Sequence, residues 1–261
     1  MNYIIFDLEF NQEFKDKSLE NTDEKHNNTP KLTFEIIQIG AIKINDNFEK
    51  ISTFSSLIKP NVHIKVHPYV HKMTGITEDQ LQSKEEFPSI YERLVEFIDN
   101  PEDSVLCVWG IVDIKELLRN IKFYNLSTDV IPKKYIDVQH HASKFFGTKD
   151  SSRIGLKNAI ELLNLKIEGD FHDAFNDAYY TCEVFKSIYS PTIKPLIYND
   201  TNRRKVKDAP HKKYKVNMNG VYQQFEKMYS RQLSKTEKDM IQLAYTMGRT
   251  HQFLVKKSDK E

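Results

Sequence analysis

Cysteine is nearly absent from this chain. It has two, Cys107 and Cys182, each alone in an apolar segment. A disulfide scaffold or a thiolate metal cluster needs paired or closely spaced thiols, so neither applies, and the two residues fit reduced, buried thiols. Long apolar runs are lacking as well. Nothing approaches the roughly 18 residues of a membrane-spanning helix. The first residues lack the basic start and small-residue cleavage site of a secretion signal. The expectation is a cytoplasmic protein without membrane contact. No internal repeat occurs, which excludes repeat architectures.

What is there is an ordinary globular composition, 39% hydrophobic and 29% charged over 261 residues, enough for one large domain or one domain with an appendage. The net charge of +1 hides an asymmetry. Residues 191–261 hold 16 of the 38 Lys and Arg and 7 of the 37 Asp and Glu, giving +9 and leaving −8 for residues 1–190. A basic stretch favours polyanions, although such stretches are often only solvated surface.

Tyr3–Phe10 reads as a strand. Residues 11–33 are polar and read as a long loop. Strands are expected over 35–44, 52–58 and 105–109, and helices over 87–99, after Gly110, over 156–165 and over 173–188. Strands followed by alternating helices and strands indicate an α/β domain. After Pro191 the character changes. Residues 191–216 read as a basic linker with a local +6 over residues 203–215. Residues 217–261 read as a helical extension. Its second helix starts at Ser234 with Glu237 as a capping box and stops near Gly248. Forty-odd residues make a weak core alone, so this pair is expected to dock on the main domain or on a protein partner.

Three short stretches carry chemistry. In FDLEF, Asp7 and Glu9 lie two apart in a strand and project to one side, with Phe6, Leu8 and Phe10 on the other. Adjacent carboxylates raise one another's pKa and call for a compensating cation. Two solvated acids at a strand end are the bland reading, and a Mg²⁺ or Mn²⁺ site the sharper one. VWGIVDIKEL places Asp113 just past a strand and a glycine turn, where a helix N-cap is the ordinary role. FHDAFNDAYYT places His172, Asp173 and Asp177 at a helix start, where a cap and an exposed acid would also be unremarkable.

In order and spacing, these stretches resemble the motifs of the DEDDh 3′–5′ exonucleases, over roughly residues 1–190. EIIQIGAI, HPYVHKMTGIT and GLKNAIELLNL add local likeness. The set is similar to the branch containing histone-mRNA and small-RNA 3′-end exonucleases and bacterial KapD-like proteins. The resemblance implies a ribonuclease-H-like fold, a mixed α/β sheet flanked by helices. It implies that Asp7, Glu9, Asp113 and Asp177 hold two Mg²⁺ or Mn²⁺ ions. His172 would take the proton of the attacking water. Substrates would be single-stranded RNA or DNA 3′ ends, RNA favoured, with nucleoside 5′-monophosphates as products. Asp173 competes with Asp177 as fourth acid, and the motif selects Asp177, leaving Asp173 as the cap.

The resemblance also suggests that Leu8 and Phe10 frame the terminal base, although strand alternation sends both toward the core. Met73 and Thr74 belong to a loop that touches substrate in many members. Arg203, Arg204 and Lys205, in the basic arm, are expected to hold substrate through phosphate contacts. Asp137 reads as a residue that backs the site's ligands or as structural, His140 and His141 as surface residues on a strand, and Trp109 as core. Three features depart from the family pattern: the length of residues 11–33, Met73 in place of leucine, and a tail beyond the family domain. The rival functions are a phosphodiesterase acting on oligonucleotides or dinucleotides, and a nucleic-acid binder without general exonuclease activity.

Overall fold

The computed structural model describes residues 1–13, 32–148, 153–199 and 217–249. It divides into two compact units, Met1–Asp200 and Thr201–Glu261.

The first unit is built on a six-stranded sheet. In chain order the strands are β1 (Asn2–Gln12), β2 (Phe34–Ile44), β3 (Lys50–Leu57), β4 (Ser104–Val108), β5 (Lys134–Asp137) and β6 (Leu196–Ile197). In space the order is β3-β2-β1-β4-β5-β6. β1, β2 and β3 form an antiparallel meander, while β4 and β5 run parallel to β1. Parallel neighbours need crossovers, and helices supply them. This is the mixed sheet flanked by helices that the motifs imply.

The period of two along the central strands sorts their side chains into two cores. Ile4, Phe6 and Leu8 of β1 and Leu106 and Val108 of β4 pack under α3 (Phe87–Ile98) and α4 (Val112–Phe123). Tyr3 and Ile5 with Val105 and Cys107 pack under α5 (Val138–Phe145), α6 (Leu156–Leu162) and α7 (Ala174–Ile188). Each fully buried Ile, Leu or Phe contributes about 1.5–3 kcal/mol, so these two layers hold the strand ends rigidly. Cys107 and Cys182 are free and buried in the second core, where burial pushes both thiols up, Cys182 to about 11.

Some local readings change. PYVHKMT is a helix, α1 (Pro68–Thr74), rather than a loop. Pro68 opens it, His67 caps it by accepting the Tyr69 N–H, and Gly75 at φ 71° closes it. Its seven residues are too few for periodicity to reveal. The next helix, α2 (Glu78–Gln82), starts on a Thr77–Gln80 capping box. His140 and His141 lie in α5, not on a strand, because Asp137 ends β5 and caps the helix. The segment after Pro191 includes β6, which pairs with β5 through Leu196 and Ile197.

The second unit is a helical pair, α8 (Met218–Tyr229) and α9 (Lys235–Arg249). Ser234 and Glu237 form the expected capping box, and α9 runs one residue past Gly248. Polar links join the pair: Arg231 to Glu237, Lys238 to Glu226 and Tyr222 to Gln242.

Candidate active site

Asp7 and Glu9 continue the row begun by Tyr3 and Ile5, so they leave the core on the α7 side of the sheet. Opposite them on β2 stand Gly40 and Gln38. These two residues bring α7 to the carboxylates. A Cβ at Gly40 would lie 2.2 Å from the Ala174 carbonyl carbon and 2.2 Å from the Phe175 nitrogen. Only glycine permits so close an approach of helix backbone to strand. Gln38, 6% exposed, donates from Nε2 to Asp173 Oδ2 at 2.7 Å and accepts the Ala174 N–H on Oε1 at 3.2 Å. Asp173 caps α7 by accepting the Asn176 N–H at 3.0 Å. The cap and the strand thus share one hydrogen-bond network.

Asp177 lies one turn into α7 and is 9% exposed. Its Oδ2 accepts the His172 N–H at 3.1 Å. Its Oδ1 is buried and has no hydrogen-bond partner among the described residues. His172 is exposed and takes φ 66°, a conformation costing a non-glycine residue on the order of 1–3 kcal/mol. One ligand atom each from Glu9, His172 and Asp177 fall within 4.8 Å of one another. Asp113 arrives from the other crossover. β4 ends, Gly110 turns the chain at φ 93°, and Asp113 enters in the first turn of α4, 8% exposed. The cap position there is Ile111, so Asp113 is not the N-cap that its place suggests.

The four carboxylates act on one another. Burial pushes Asp7 well above the carboxylate range, and Asp113, Asp177 and Glu9 push it further. Glu9 rises to about 8, from burial first and then from Asp177 and Asp113. Asp113 rises to about 8, from burial first, partly offset by a hydrogen bond from its own backbone, with Asp177 adding to the rise. Asp177 rises to about 6 through burial, against the lowering effect of His172. Buried and half-buried acids that resist ionising together are the donor set that a divalent cation satisfies. The orphaned Oδ1 of Asp177 fits the same group, since an unpaired buried carboxylate oxygen is costly without a ligand.

The other predicted residues are dispersed. Leu8 is 4% exposed and sits in the core under α3 and α4. Phe10 is half-buried beside that core, its ring 6.2 Å from Phe34, just past a register shift after Glu9. Met73 and Thr74 end α1 and are half-buried. Arg203, Arg204 and Lys205 lie outside the described residues. Asp137 caps α5, and Trp109 is half-buried against the second core.

Sequence reasoning missed Gln38, Gly40 and Asn11. Asn11 is fully buried and donates to the carbonyls of His63 and Lys65 while accepting the His67 N–H, tying the approach to α1 to β1. A Gln and a Gly alternating in an otherwise apolar strand were the available signal.

Comparison with known proteins agrees with this geometry. Residues 4–185 match the exonuclease (RNase_T) family. The chain is 29% identical over 154 residues to the probable 3′-5′ exonuclease KapD of Bacillus subtilis, covering 59% of this chain and 73% of that one. It is 23% identical over 158 residues to mouse 3′-5′ exoribonuclease 1, covering 58% of this chain and 46% of that protein. The chain thus spans about half the length of the mammalian relative. The nuclease domain of 3′hExo, described as a DEDDh family member bound to rAMP, shares the fold with a TM-score of 0.61 at 20% identity, over 76% of this chain and 96% of that domain. The chain belongs to the exonuclease (RNase_T) family, and these sequence relatives are named 3′-5′ exonucleases.

Proposed function

We propose that this protein is a two-metal-ion enzyme that removes nucleoside 5′-monophosphates from single-stranded 3′ ends, with RNA favoured over DNA. The observation that carries the reading is the convergence of Asp7, Glu9, Asp113 and Asp177 beside His172 at the head of α7. Asp7, Glu9, Asp113 and Asp177 would hold two Mg²⁺ or Mn²⁺ ions, which supply charge stabilisation for the attacking and leaving oxygens. His172 is exposed beside Glu9 and Asp177, placed to accept the proton of an attacking water. The hydrogen bond from its own N–H to Asp177 sets the backbone that aims the ring. Glu9 ends the carboxylate row on β1 and would meet the terminal 3′-OH. Contacts of Met73, Thr74 and Phe10 with the substrate's end rest on the family resemblance alone. A contact of Glu9 with the terminal 3′-OH would explain attack at an end rather than within a strand.

The preference for RNA draws on the relatives: one is named an exoribonuclease, and the 3′hExo domain was solved with rAMP. Arg203, Arg204 and Lys205 add sequence-independent affinity through phosphates, offsetting the −8 charge of residues 1–190. Digestion of single-stranded RNA and DNA of equal sequence, with chromatography of the products, tests the reading. Nucleoside 5′-monophosphates, formed faster from RNA, are expected. Products with 3′-phosphates would overturn the reaction, and equal or faster DNA digestion would overturn the preference.

A further inference from the structure

A guanidinium stands at the same end of the sheet as the acidic centre, and the reaction above does not use it. Its position follows from register. Ile5 of β1 lies opposite Cys107 of β4, and Cys107 lies opposite Ile136 of β5. The three strands run in one direction. Asp7, the Trp109–Gly110 turn and Asp137 therefore emerge at one end. β5 lies two strand spacings from β1, about 10 Å.

Asp137 uses both oxygens there. Oδ1 accepts the His140 N–H at 3.0 Å, and Oδ2 accepts Nη1 of Arg153 at 2.9 Å. Oε1 of Gln139 accepts the same Nη1 at 3.3 Å, while Gln139 Nε2 donates to the Ile154 carbonyl at 2.9 Å. The Gly110 turn passes close beside this cluster. A Cβ on Gly110 would lie 3.2 Å from Gln139 Oε1 and 3.8 Å from Arg153 Nη1. Asp113 follows three residues later. A cation is thus anchored by two acceptors against the turn that delivers a catalytic carboxylate.

The anchoring leaves the group available. Both hydrogen bonds use Nη1, and the Arg153 side chain is 52% exposed while Asp137 is 13% exposed. A surface ion pair of this kind adds little to stability. Its planar fork of donors matches a phosphate, and its two remaining nitrogens can supply that fork. Residues 1–190 carry a net −8, so a phosphodiester strand passing this unit gains from a fixed positive charge there. Two strand spacings from Asp7 is too far for the scissile group and suits a phosphate further along the strand.

We propose that Arg153 binds a backbone phosphate of the substrate strand upstream of the scissile bond, forming a sequence-independent subsite at the C-terminal end of β5. The proposal rests on the exonuclease reading.

The test compares wild type with Arg153→Gln, Arg153→Lys and Asp137→Asn on two substrates. One is a single-stranded oligonucleotide. The other is the p-nitrophenyl ester of a nucleoside 5′-monophosphate, which has no upstream phosphate. Arg153→Gln is expected to raise KM for the oligonucleotide by about tenfold at low salt with kcat and ester hydrolysis unchanged, and to reduce the salt slope of oligonucleotide binding by about 0.7, the value for one single-strand phosphate. Arg153→Lys keeps the charge and should retain most of the slope, and Asp137→Asn should retain it fully. An unchanged slope and KM in Arg153→Gln overturns the proposal, whether or not its Tm falls. So does an equal loss of slope in Asp137→Asn, which would make the pair a structural staple. If wild type hydrolyses neither substrate the exonuclease reading fails instead, and the binding slope still decides the role of Arg153.

Discussion

The two units solve the problem of holding a helix in opposite ways. In the α/β unit, α7 buries Ala178, Tyr180, Val184 and Phe185 among other residues and is clamped at its first turn by Gln38 and Gly40. In the C-terminal unit, α8 buries no residue, and Met228, Tyr229, Met240 and Leu243 are all exposed. Among the described residues, the Lys238–Glu226 ion pair and the Tyr222–Gln242 hydrogen bond join its helices, and Arg231 of the connecting turn pairs with Glu237. The lesson concerns precision. Four carboxylates that repel one another keep their places only if both their strand and their helices are fixed by deep packing. A small helical pair has no such demand on it and too few residues to build a large core.

The largest expected effect comes from inside the first unit. Asp113→Asn should cost on the order of 10³-fold in kcat, as for loss of one preorganised charge. The same variant should raise the Tm of the metal-free protein at pH 8, because a buried, repelled carboxylate has been made neutral. Calorimetry under chelation reads that rise, and a fall would contradict the electrostatic account. Gly40→Ala comes next. Its Cβ meets α7 backbone at 2.2 Å, so the helix must move, and a shift of about 1 Å costs roughly 10²-fold in kcat. Gln38→Ala leaves the Asp173 Oδ2 and the Ala174 N–H unpaired, for about 1–3 kcal/mol in stability and about tenfold or more in activity. Urea titration and steady-state rates check both numbers.

A pH effect follows in size. Glu9 and Asp113, each at about 8, and Asp177, at about 6, hold protons more tightly in the folded chain than in the unfolded one. Unfolded carboxylates titrate near 4. Their contribution to stability is whole below about pH 4 and is lost as pH rises to about 8. The Tm of chelated protein should fall across that window, and added Mg²⁺ should raise Tm more at pH 8 than at pH 5. The smallest effect on the chemical step should come from the other side of the comparison. Removing residues 201–261 should leave kcat on a short oligonucleotide unchanged while weakening binding at low salt. A large loss of kcat would show that the second unit takes part in catalysis.

The acidic motifs were legible because their geometry is local. A period of two puts Asp7 and Glu9 on one face, while the choice of Asp177 over Asp173 came from the family motif and not from geometry. The parts that escaped are held by distant partners. Nothing near Gln38 in the chain announces that it meets Asp173 and Ala174, more than 130 residues later. α1 escaped for a different reason, since seven residues between a proline and a glycine show too little periodicity to separate helix from loop. His140 and His141 were misplaced on a strand because β5 is only four residues long and passes straight into its helix at Asp137. The strand alternation that sent Leu8 toward the core agrees with its burial there.

The central claim is that Asp7, Glu9, Asp113, Asp177 and His172 form one metal-dependent centre acting at 3′ ends. Digestion of a 5′-labelled single strand with Mg²⁺, with EDTA and with Asp7→Ala tests it most directly. The account predicts a ladder that shortens from the 3′ end and vanishes both on chelation and in the variant. A ladder that persists in EDTA or in folded Asp7→Ala, or no degradation by folded wild type with Mg²⁺ or Mn²⁺, would contradict it.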